Sequence, residues 1–314
     1  MYGQPPEVSR KPRRAAADGG SAAAGAIVAR MPLEPLLAAK KESALGRLRT
    51  AGRVLVALSG GVDSAVLLAL AVEALGVDRV LAVTGQSPAV PDADVEDARG
   101  VAAQLGVRHE VVITREMDRP GYVANAGDRC FHCRTELFEV LTELAEKRGF
   151  LSVVYGAIAD DLGEHRPGMR AAGERGVLAP LLDAGLGKSE VRRLAAAAGL
   201  AVQDKPAAAC LASRIPTGTA VRPELLQAVG EAEAGLRRLG IRQVRVRHHG
   251  EIARVETDED GFALLRDPAL RAAASGAVRA CGFRFVALDL EGYRTGSVAG
   301  SVVVRIGPAV DSGQ

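Results

Sequence analysis

Tryptophan is absent from the 314 residues, and the aromatic share is only 3%. A protein that holds single-stranded nucleic acid by stacking bases needs more aromatic platforms than this. Charge of one sign is missing too: 40 Lys and Arg stand against 38 Asp and Glu, a formal net charge of +2. That balance excludes a strongly basic nucleic-acid coat and an acidic tail protein. No apolar run approaches the roughly 18 residues that mark a membrane-spanning helix. Cysteine is scarce, with four in the chain, too few for a disulfide scaffold, so position matters more than number. The expectation is a cytoplasmic protein with neither a membrane nor a nucleic acid as its partner.

The first 35 residues mix Pro, Gly, Ser and Ala with Arg10, Lys11, Arg13 and Arg14 and contain no apolar signal core. They read as a disordered tail or an over-extended start, with Met31 as a second candidate initiator. From Arg53 a regular alternation begins. Val54–Leu58 reads as a buried strand, and Arg79–Val83, Val107–Ile113 and Ser152–Tyr155 read as further strands. Ala65–Leu75, Asp92–Leu105, Arg134–Arg148 and Lys188–Ala198 read as helices. Such alternation predicts an α/β fold, a doubly wound parallel sheet covered on both faces. After Pro216 the pattern changes: helix Arg222–Leu239, paired strands Val244–His248 and Ile252–Glu256 around His249-Gly250, helix Leu265–Cys281 and strand Phe283–Leu288. This predicts a second, smaller α+β domain. The expected partition is a tail over 1–35, the α/β domain over 36–215, the small domain over 216–300 and a C-terminal tail over 301–314.

Ser59-Gly60-Gly61-Val62-Asp63-Ser64 lies between the first strand and its helix. Two glycines let the backbone turn tightly around an oxyanion, the serines supply donors, and the helix N-terminus directs free N–H groups outward. This describes an anion site of pyrophosphate size. It is not a Walker A loop, because no Gly-Lys-Ser/Thr follows. The plain alternative is an ordinary glycine turn with a helix cap.

Cys130-Phe-His-Cys133 forms a CxxC, and Cys210 follows in Asp204-Lys-Pro-Ala-Ala-Ala-Cys-Leu-Ala-Ser-Arg214. A zinc site wants four ligands, and His132 inside the CxxC has poor geometry. A redox pair lacks its usual context. Three thiolates with one open position suit a [4Fe–4S] cluster, and unrelated thiols remain an alternative. Cys281 reads as a small buried hydrophobe. Arg245 and Arg247 alternate with Val246, so both face one way, as an oxyanion site or as a solvated strand face. Lys188 and Arg192 could reach phosphates or be surface charges. Asp160 and Asp161 follow a strand end, fit for Mg²⁺, for ordering the site or for capping a helix. His248 and His249 read as strand-end surface residues.

The Ser-Gly-Gly-Val-Asp-Ser string resembles the PP-loop ATP pyrophosphatase superfamily. Together with Tyr155-Gly-Ala-Ile-Ala-Asp-Asp161, Arg166-Pro-Gly168, Pro180–Arg192, the Cys210 segment and Val244–Glu256, it resembles the LarE family of ATP-dependent sulfur transferases, which serve nickel-pincer cofactor synthesis. The likeness runs from about Leu55 to Gly296. It implies that ATP adenylylates a carboxylate of pyridinium-3,5-biscarboxylic acid mononucleotide and that sulfur then displaces AMP to give a thiocarboxylate. It implies ATP contacts from Ser59, Gly60, Gly61, Asp63, Ser64, Thr84, Ser87 and Lys188, with Mg²⁺ on Asp63. It implies that Ser213, Arg214, Arg245 and Arg247 receive the mononucleotide phosphate, oriented by Glu233. Cys210 is the expected catalytic cysteine. Family members either sacrifice its sulfur or carry sulfide on a [4Fe–4S] cluster; Cys130, Cys133 and Cys210 favour the cluster type. The resemblance also implies a homo-oligomer and leaves the sulfur donor unidentified. Thr217 stands where the family has an aromatic, and Ala157–Ala159 where it has Asn. Competing readings are a tRNA thiolase, an amide synthetase of the NAD or GMP synthetase type, and a nucleotide or iron–sulfur sensor.

Overall fold

The computed structural model describes residues 33–162, 167–206 and 209–294. The tail expected over 301–314, and that over 1–35 except its last three residues, lie outside them. The first element is a helix that the hydrophobic pattern does not announce, α1 over Pro35–Ala51, started by a proline at its first turn. Leu37, Ala44, Leu45, Leu48 and Ala51 face inward, a spacing that keeps one helical side apolar.

Then come β1 (Val54–Ala57), α2 (Val62–Leu75), β2 (Val80–Gln86), α3 (Asp92–Gln104), β3 (Arg108–Ile113), the short α4 (Pro120–Ala124), α5 (Arg129–Arg148), β4 (Ser152–Tyr155), α6 (Pro167–Glu174), α7 (Pro180–Asp183) and α8 (Lys188–Ala197). The four strands are parallel in the order β3-β2-β1-β4. Val54 pairs with Val80 and Ser152 across β1's two neighbours. Strand periodicity sends alternate residues to opposite faces. Val54 and Val56 join a core with Leu45, Leu67 and Leu194. Leu55 joins a second core with Phe138, Leu141 and Tyr155 on the other face. The sheet is thus covered on both sides, as expected for an α/β protein.

The second sheet follows: α9 (Pro223–Arg238), β5 (Val244–His249), β6 (Ile252–Thr257), α10 (Glu259–Leu264), α11 (Pro268–Arg279) and β7 (Phe285–Leu288), in the order β5-β6-β7. Strands β5 and β6 are antiparallel, β6 and β7 parallel. The helix expected over Leu265–Cys281 is α11, which starts three residues later, at Pro268. Pro268 has no N–H to continue a helix, and the Asp267 carboxylate accepts the Ala269 N–H at 2.9 Å, starting α11 afresh. Similarly, α5 begins at Arg129 rather than Arg134, which draws the CxxC into its first turn. The core of this lobe (Leu226, Val229, Leu236, Val246, Val255, Val278) continues without a break into Tyr122, Leu211, Ala212 and Ile215. The segments that carry the cysteines are therefore packed by the small lobe. No described helix is long and apolar enough to cross a membrane.

Candidate functional site

The phosphate loop leaves β1 at Leu58, whose N–H is held by the Val83 carbonyl at 2.8 Å. Gly60 takes φ +73°, and a Cβ there would lie 2.1 Å from the Asp94 carbonyl oxygen. Both the left-handed backbone and the close approach of α3 demand glycine. Ser64, in the first turn of α2, closes the loop: its Oγ accepts the Ser59 N–H at 3.1 Å and donates to the Gly61 carbonyl at 3.0 Å. Ser59 and Ser64 hydroxyls lie 3.1 Å apart. At the end of β4, Gly156 lets the loop close in, since a Cβ there would meet the Ser64 nitrogen at 2.9 Å. Gly60→Ala is expected to weaken ATP binding by roughly 10²-fold, the scale of an ångström-sized misplacement, measured by calorimetric titration. Gly61→Ala, whose added carbon meets nothing nearer than Ser59 Oγ at 3.5 Å, should lose much less.

Two lysines from distant segments converge on this loop. Lys188 Nζ sits 2.8 and 2.9 Å from the two Asp63 carboxylate oxygens. Lys205 Nζ donates to the Gly60 carbonyl at 3.1 Å and pairs with Asp94 at 2.8 Å and Asp97 at 2.5 Å. Lys205 belongs to the Asp-Lys-Pro string, so the cysteine segment is anchored on the phosphate loop. Arg192 reaches the Lys205 carbonyl at 3.4 Å. Asp160 accepts the Lys188 N–H at 2.8 Å at the start of α8, and Asp161 accepts the Ile158 N–H at 3.0 Å. Of the alternatives open for these carboxylates, the bonds formed are those of helix capping: Asp161 on the turn Ala159–Asp161 and Asp160 on the first N–H of α8. Thr84 is buried and donates to the Leu58 carbonyl at 2.6 Å, with His109 Nε2 at 2.8 Å. Ser87 is bonded to the Glu116 carboxylate.

Two of the thiols stand at the N-terminal end of α5. Cys130 and Cys133, three apart in its first turn, share one side of the helix. Cys210 precedes the 3-10 turn Leu211–Arg214. Cys133 lies within electrostatic reach of both Cys210 and Cys130. Its thiol is pushed far up, first by burial and then by the neighbouring charge of Cys210 and Glu116. Asn125 holds the two segments together. It adopts φ 51°, and its amide donates to the carbonyls of Pro216 at 2.8 Å and Thr219 at 3.0 Å, while its oxygen accepts from Arg129 at 2.6 Å. Among the described residues no three His, Cys, Asp or Glu side chains are placed tightly enough to hold a single metal ion. Cys281 stands apart in the small lobe, with Sγ 3.3 Å from the Ala277 carbonyl.

The third part is a buried arginine cluster. Arg245 and Arg247 are each 7% exposed, so the solvated-face reading of β5 does not hold. Glu233, on α9 and fully buried, accepts both forks of Arg214 at 2.7 and 3.0 Å, Arg237 at 2.7 Å and the Val246 N–H at 3.1 Å. Burial alone would raise this carboxyl, but the Arg214 bonds and the charges of Arg214, Arg237 and Arg245 hold it below the ordinary range. Glu256 on β6 accepts Arg247 at 3.0 and 2.8 Å and Arg254 at 3.0 Å. Arg254 also pairs with Asp289 at 3.1 Å. Arg247 donates to the Ser213 carbonyl at 3.0 Å and Arg214 to the Ser213 hydroxyl at 2.9 Å, which brings Ser213, Arg214, Glu233, Arg245 and Arg247 into one group. Arg245 lies over the Tyr293 ring at 5.3 Å, and its guanidinium is pushed down by burial and by Arg214. Among the described residues of this cluster, Arg214, Arg237, Arg245, Arg247 and Arg254 stand beside the carboxylates of Glu233, Glu256 and Asp289, a concentration of guanidinium groups of the kind that binds oxyanions. His248 is half-buried against Phe283 rather than on the surface, and burial lowers its imidazole.

The NAD synthase family matches residues 45–124, the stretch containing the phosphate loop. An NH(3)-dependent NAD(+) synthetase of Hyperthermus butylicus is 52% identical over 60 residues, covering 19% of this chain and 22% of its own. Two likenesses extend much further. An uncharacterized protein of Synechocystis sp. is 42% identical over 246 residues, 78% of this chain and 91% of its own. The pyridinium-3,5-bisthiocarboxylic acid mononucleotide synthase of Lactiplantibacillus plantarum is 34% identical over 263 residues, 83% of this chain and 94% of its own. The chain belongs to the LarE family. The short match covers about a fifth of the chain, whereas the long ones cover more than three quarters of it.

For this LarE-family chain, several working residues carry no sequence signal of their own. Lys205 and Glu256 sit inside motif strings with no role apparent there, because their partners lie far away in sequence or across a strand pair. Glu116 and Tyr122 stand in no motif at all. For Asn125 the one available cue is a lone Asn before a Gly and a helix start, the residue type that tolerates left-handed backbone.

Proposed function

We propose that this chain is the ATP-dependent sulfur transferase that converts carboxylates of pyridinium-3,5-biscarboxylic acid mononucleotide to thiocarboxylates. The activation step uses the loop: ATP transfers AMP to the carboxylate, and the loop's N–H groups and serine hydroxyls retain pyrophosphate. Lys188 and Asp63 are placed to divide the nucleotide's charge, the lysine toward phosphate and the carboxylate toward Mg²⁺. Ser213, Arg214, Arg245 and Arg247 hold the mononucleotide phosphate, with Glu233 and Glu256 fixing the guanidinium forks from behind. Thr84 and Ser87 support the site through the Leu58 carbonyl and Glu116. The observation that carries this reading is the run Lys205–Arg214: it begins on the phosphate loop, ends in the arginine cluster and bears Cys210 between them.

Sulfur leaves from Cys210 or from a group held beside it. The donor set is compatible with a [4Fe–4S] cluster: three thiols, of which Cys133 lies within electrostatic reach of the other two and is the one whose bare thiolate burial disfavours. Cys130, Cys133 and Cys210 would hold it, and the cluster would supply a replaceable sulfur, sparing the protein's own. Asn125 keeps the two thiol-bearing segments in register in either case.

The test is anaerobic incubation of the full-length chain with ATP, Mg²⁺ and the biscarboxylate mononucleotide, followed by mass spectrometry of substrate and protein. Exchange of substrate oxygen for sulfur, with AMP and pyrophosphate formed, is the expected result. Iron and labile sulfide in the purified chain identify the cluster route; loss of the elements of hydrogen sulfide from Cys210 identifies sacrifice. Thiolated tRNA, or an amide formed from ammonia, overturns the proposal.

A further inference from the structure

Cys210 has extended backbone, φ −57° and ψ 153°, ahead of the 3-10 turn, so its place is set by individual bonds rather than by a helix or strand. The peptide linking it to Leu211 is held at both ends. Its carbonyl accepts the Arg214 guanidinium and the Ser213 N–H, each at 3.0 Å. Its N–H, that of Leu211, donates to the Ala89 carbonyl at 2.8 Å. Ala89 lies in the loop after β2, and a chain of bonds fixes that loop. The Val90 N–H donates to the Ser87 carbonyl at 3.0 Å and closes a β-turn, with Pro88 at the position such turns favour. Inside the turn the Ser87 hydroxyl accepts the Ala89 N–H at 3.2 Å and gives its own proton to the Glu116 carboxylate. Ser87, Ala89 and Glu116 are all buried, and Ala89 packs with Tyr122, Leu211 and Ala212. Water therefore competes little for these bonds. A hydroxyl has one proton to donate. Glu116 takes that of Ser87, and none is left for a phosphate oxygen.

We infer that Ser87 and Glu116 are positioning residues for Cys210, acting through the Ala89 carbonyl on the Leu211 N–H. Arg214 grips the same peptide from the arginine cluster, and the loop after β2 grips it from the parallel sheet. A peptide held at one end only can swing about that hold. Sulfur transfer needs the reacting atoms about 3–3.5 Å apart and aligned, which a two-sided grip secures. The same anchor serves a cysteine that gives up its sulfur and one that ligates a cluster; its purpose rests on the sulfur-transfer reading.

Ser87→Ala removes the hydroxyl and leaves the backbone of the turn. Full-length wild type and variants are placed in deuterated buffer without nucleotide or mononucleotide, and exchange of single amides is timed by fragmentation mass spectrometry. The expected result is exchange at Leu211 faster by about tenfold, the scale of one buried hydrogen bond. The Leu58 amide, held by the Val83 carbonyl, is the internal reference and should keep its wild-type rate. Glu116→Ala breaks the Ser87 bond from its other end and should match Ser87→Ala. Glu116→Gln still offers the serine an oxygen and should stay close to the wild type. In turnover with ATP, Mg²⁺ and the biscarboxylate mononucleotide, Ser87→Ala should lower kcat for the thiocarboxylate roughly tenfold, with the KM for ATP unchanged. Unaltered exchange at Leu211 overturns the inference. So does a raised KM for ATP at unaltered kcat, which would make Ser87 a nucleotide contact, or equal acceleration at Leu58, which would make it a support of the whole fold. Should Ser87→Ala not fold, the two Glu116 variants decide, and Gln behaving as Ala overturns the inference. Exchange needs no substrate, so this result and thiocarboxylate formation by the wild type can fail independently.

Discussion

Glu233→Ala is expected to cost the fold about 3–5 kcal/mol, the penalty for leaving a buried ion-pair partner uncompensated. The loss falls on several groups at once. Arg214, itself 2% exposed, loses both its bonds to the carboxylate. Arg237 and the Val246 N–H lose theirs, and Arg245 loses the nearest charge that favours it. Against a total stability of about 5–15 kcal/mol for an ordinary domain, such a change brings the small lobe near its unfolding threshold. Urea titration followed by circular dichroism measures it; a shift under ~1 kcal/mol would mean that the arginines are balanced from elsewhere. The wild type carries the same interaction as a pH dependence. The carboxyl of Glu233 titrates below its ordinary value in the fold, so the unfolded chain binds more protons and stability rises with pH in that window. Its contribution is complete above the unfolded carboxylate range of about 4.3 and is lost as the pH falls through the lower folded value. Glu233→Ala should flatten that acid limb.

The second large effect belongs to Cys210. Cys210→Ala is expected to reduce thiocarboxylate formation by ~10³-fold or more, the scale for removal of a reacting nucleophile. Pyrophosphate exchange into ATP measures the activation half separately, and it should fall far less, because the loop rests on β1, α2, α3 and Lys205 rather than on the thiol. Equal loss in both assays would show that the cysteine acts in nucleotide binding. Cys281→Ala, in the small lobe, serves as the matched control.

Strands β1, β2 and β4 were legible because each is a short, mainly apolar run, the signature of a parallel sheet buried on both faces. By contrast β3, at the sheet edge, opens on Arg108-His109-Glu110 and is at most half-buried. The phosphate loop was legible because all its chemistry lies in six consecutive positions from Ser59 to Ser64. Helix α1 was not: its apolar residues are spread thinly among Lys40, Lys41, Glu42 and Arg47, and the one-sided pattern emerges only over its full length. The start of α5 is hidden because Asp128-Arg129-Cys130 offers no apolar repeat, and its first turn is fixed instead by Asn125 and Arg129. The arginines of β5 were visible as a face, but not their burial. That depends on Glu233, delivered by α9, and on Glu256, which opposes Arg245 in register while bonding to Arg247 on the diagonal. Lys205 on the Gly60 carbonyl is a contact between segments far apart in the chain, and no local rule reports it.

The run from Lys205 to Arg214 behaves like a guitar string clamped at bridge and nut. One end is fixed to the phosphate loop through the Gly60 carbonyl, the other to the buried carboxylate of Glu233. The pitch of such a string is set by its length. Adding or deleting a single residue before Cys210 moves the sulfur by up to about 3.5 Å, one extended backbone step, while leaving both anchoring side chains in the sequence. Length, more than composition, is therefore what natural or engineered variation in this stretch has to respect.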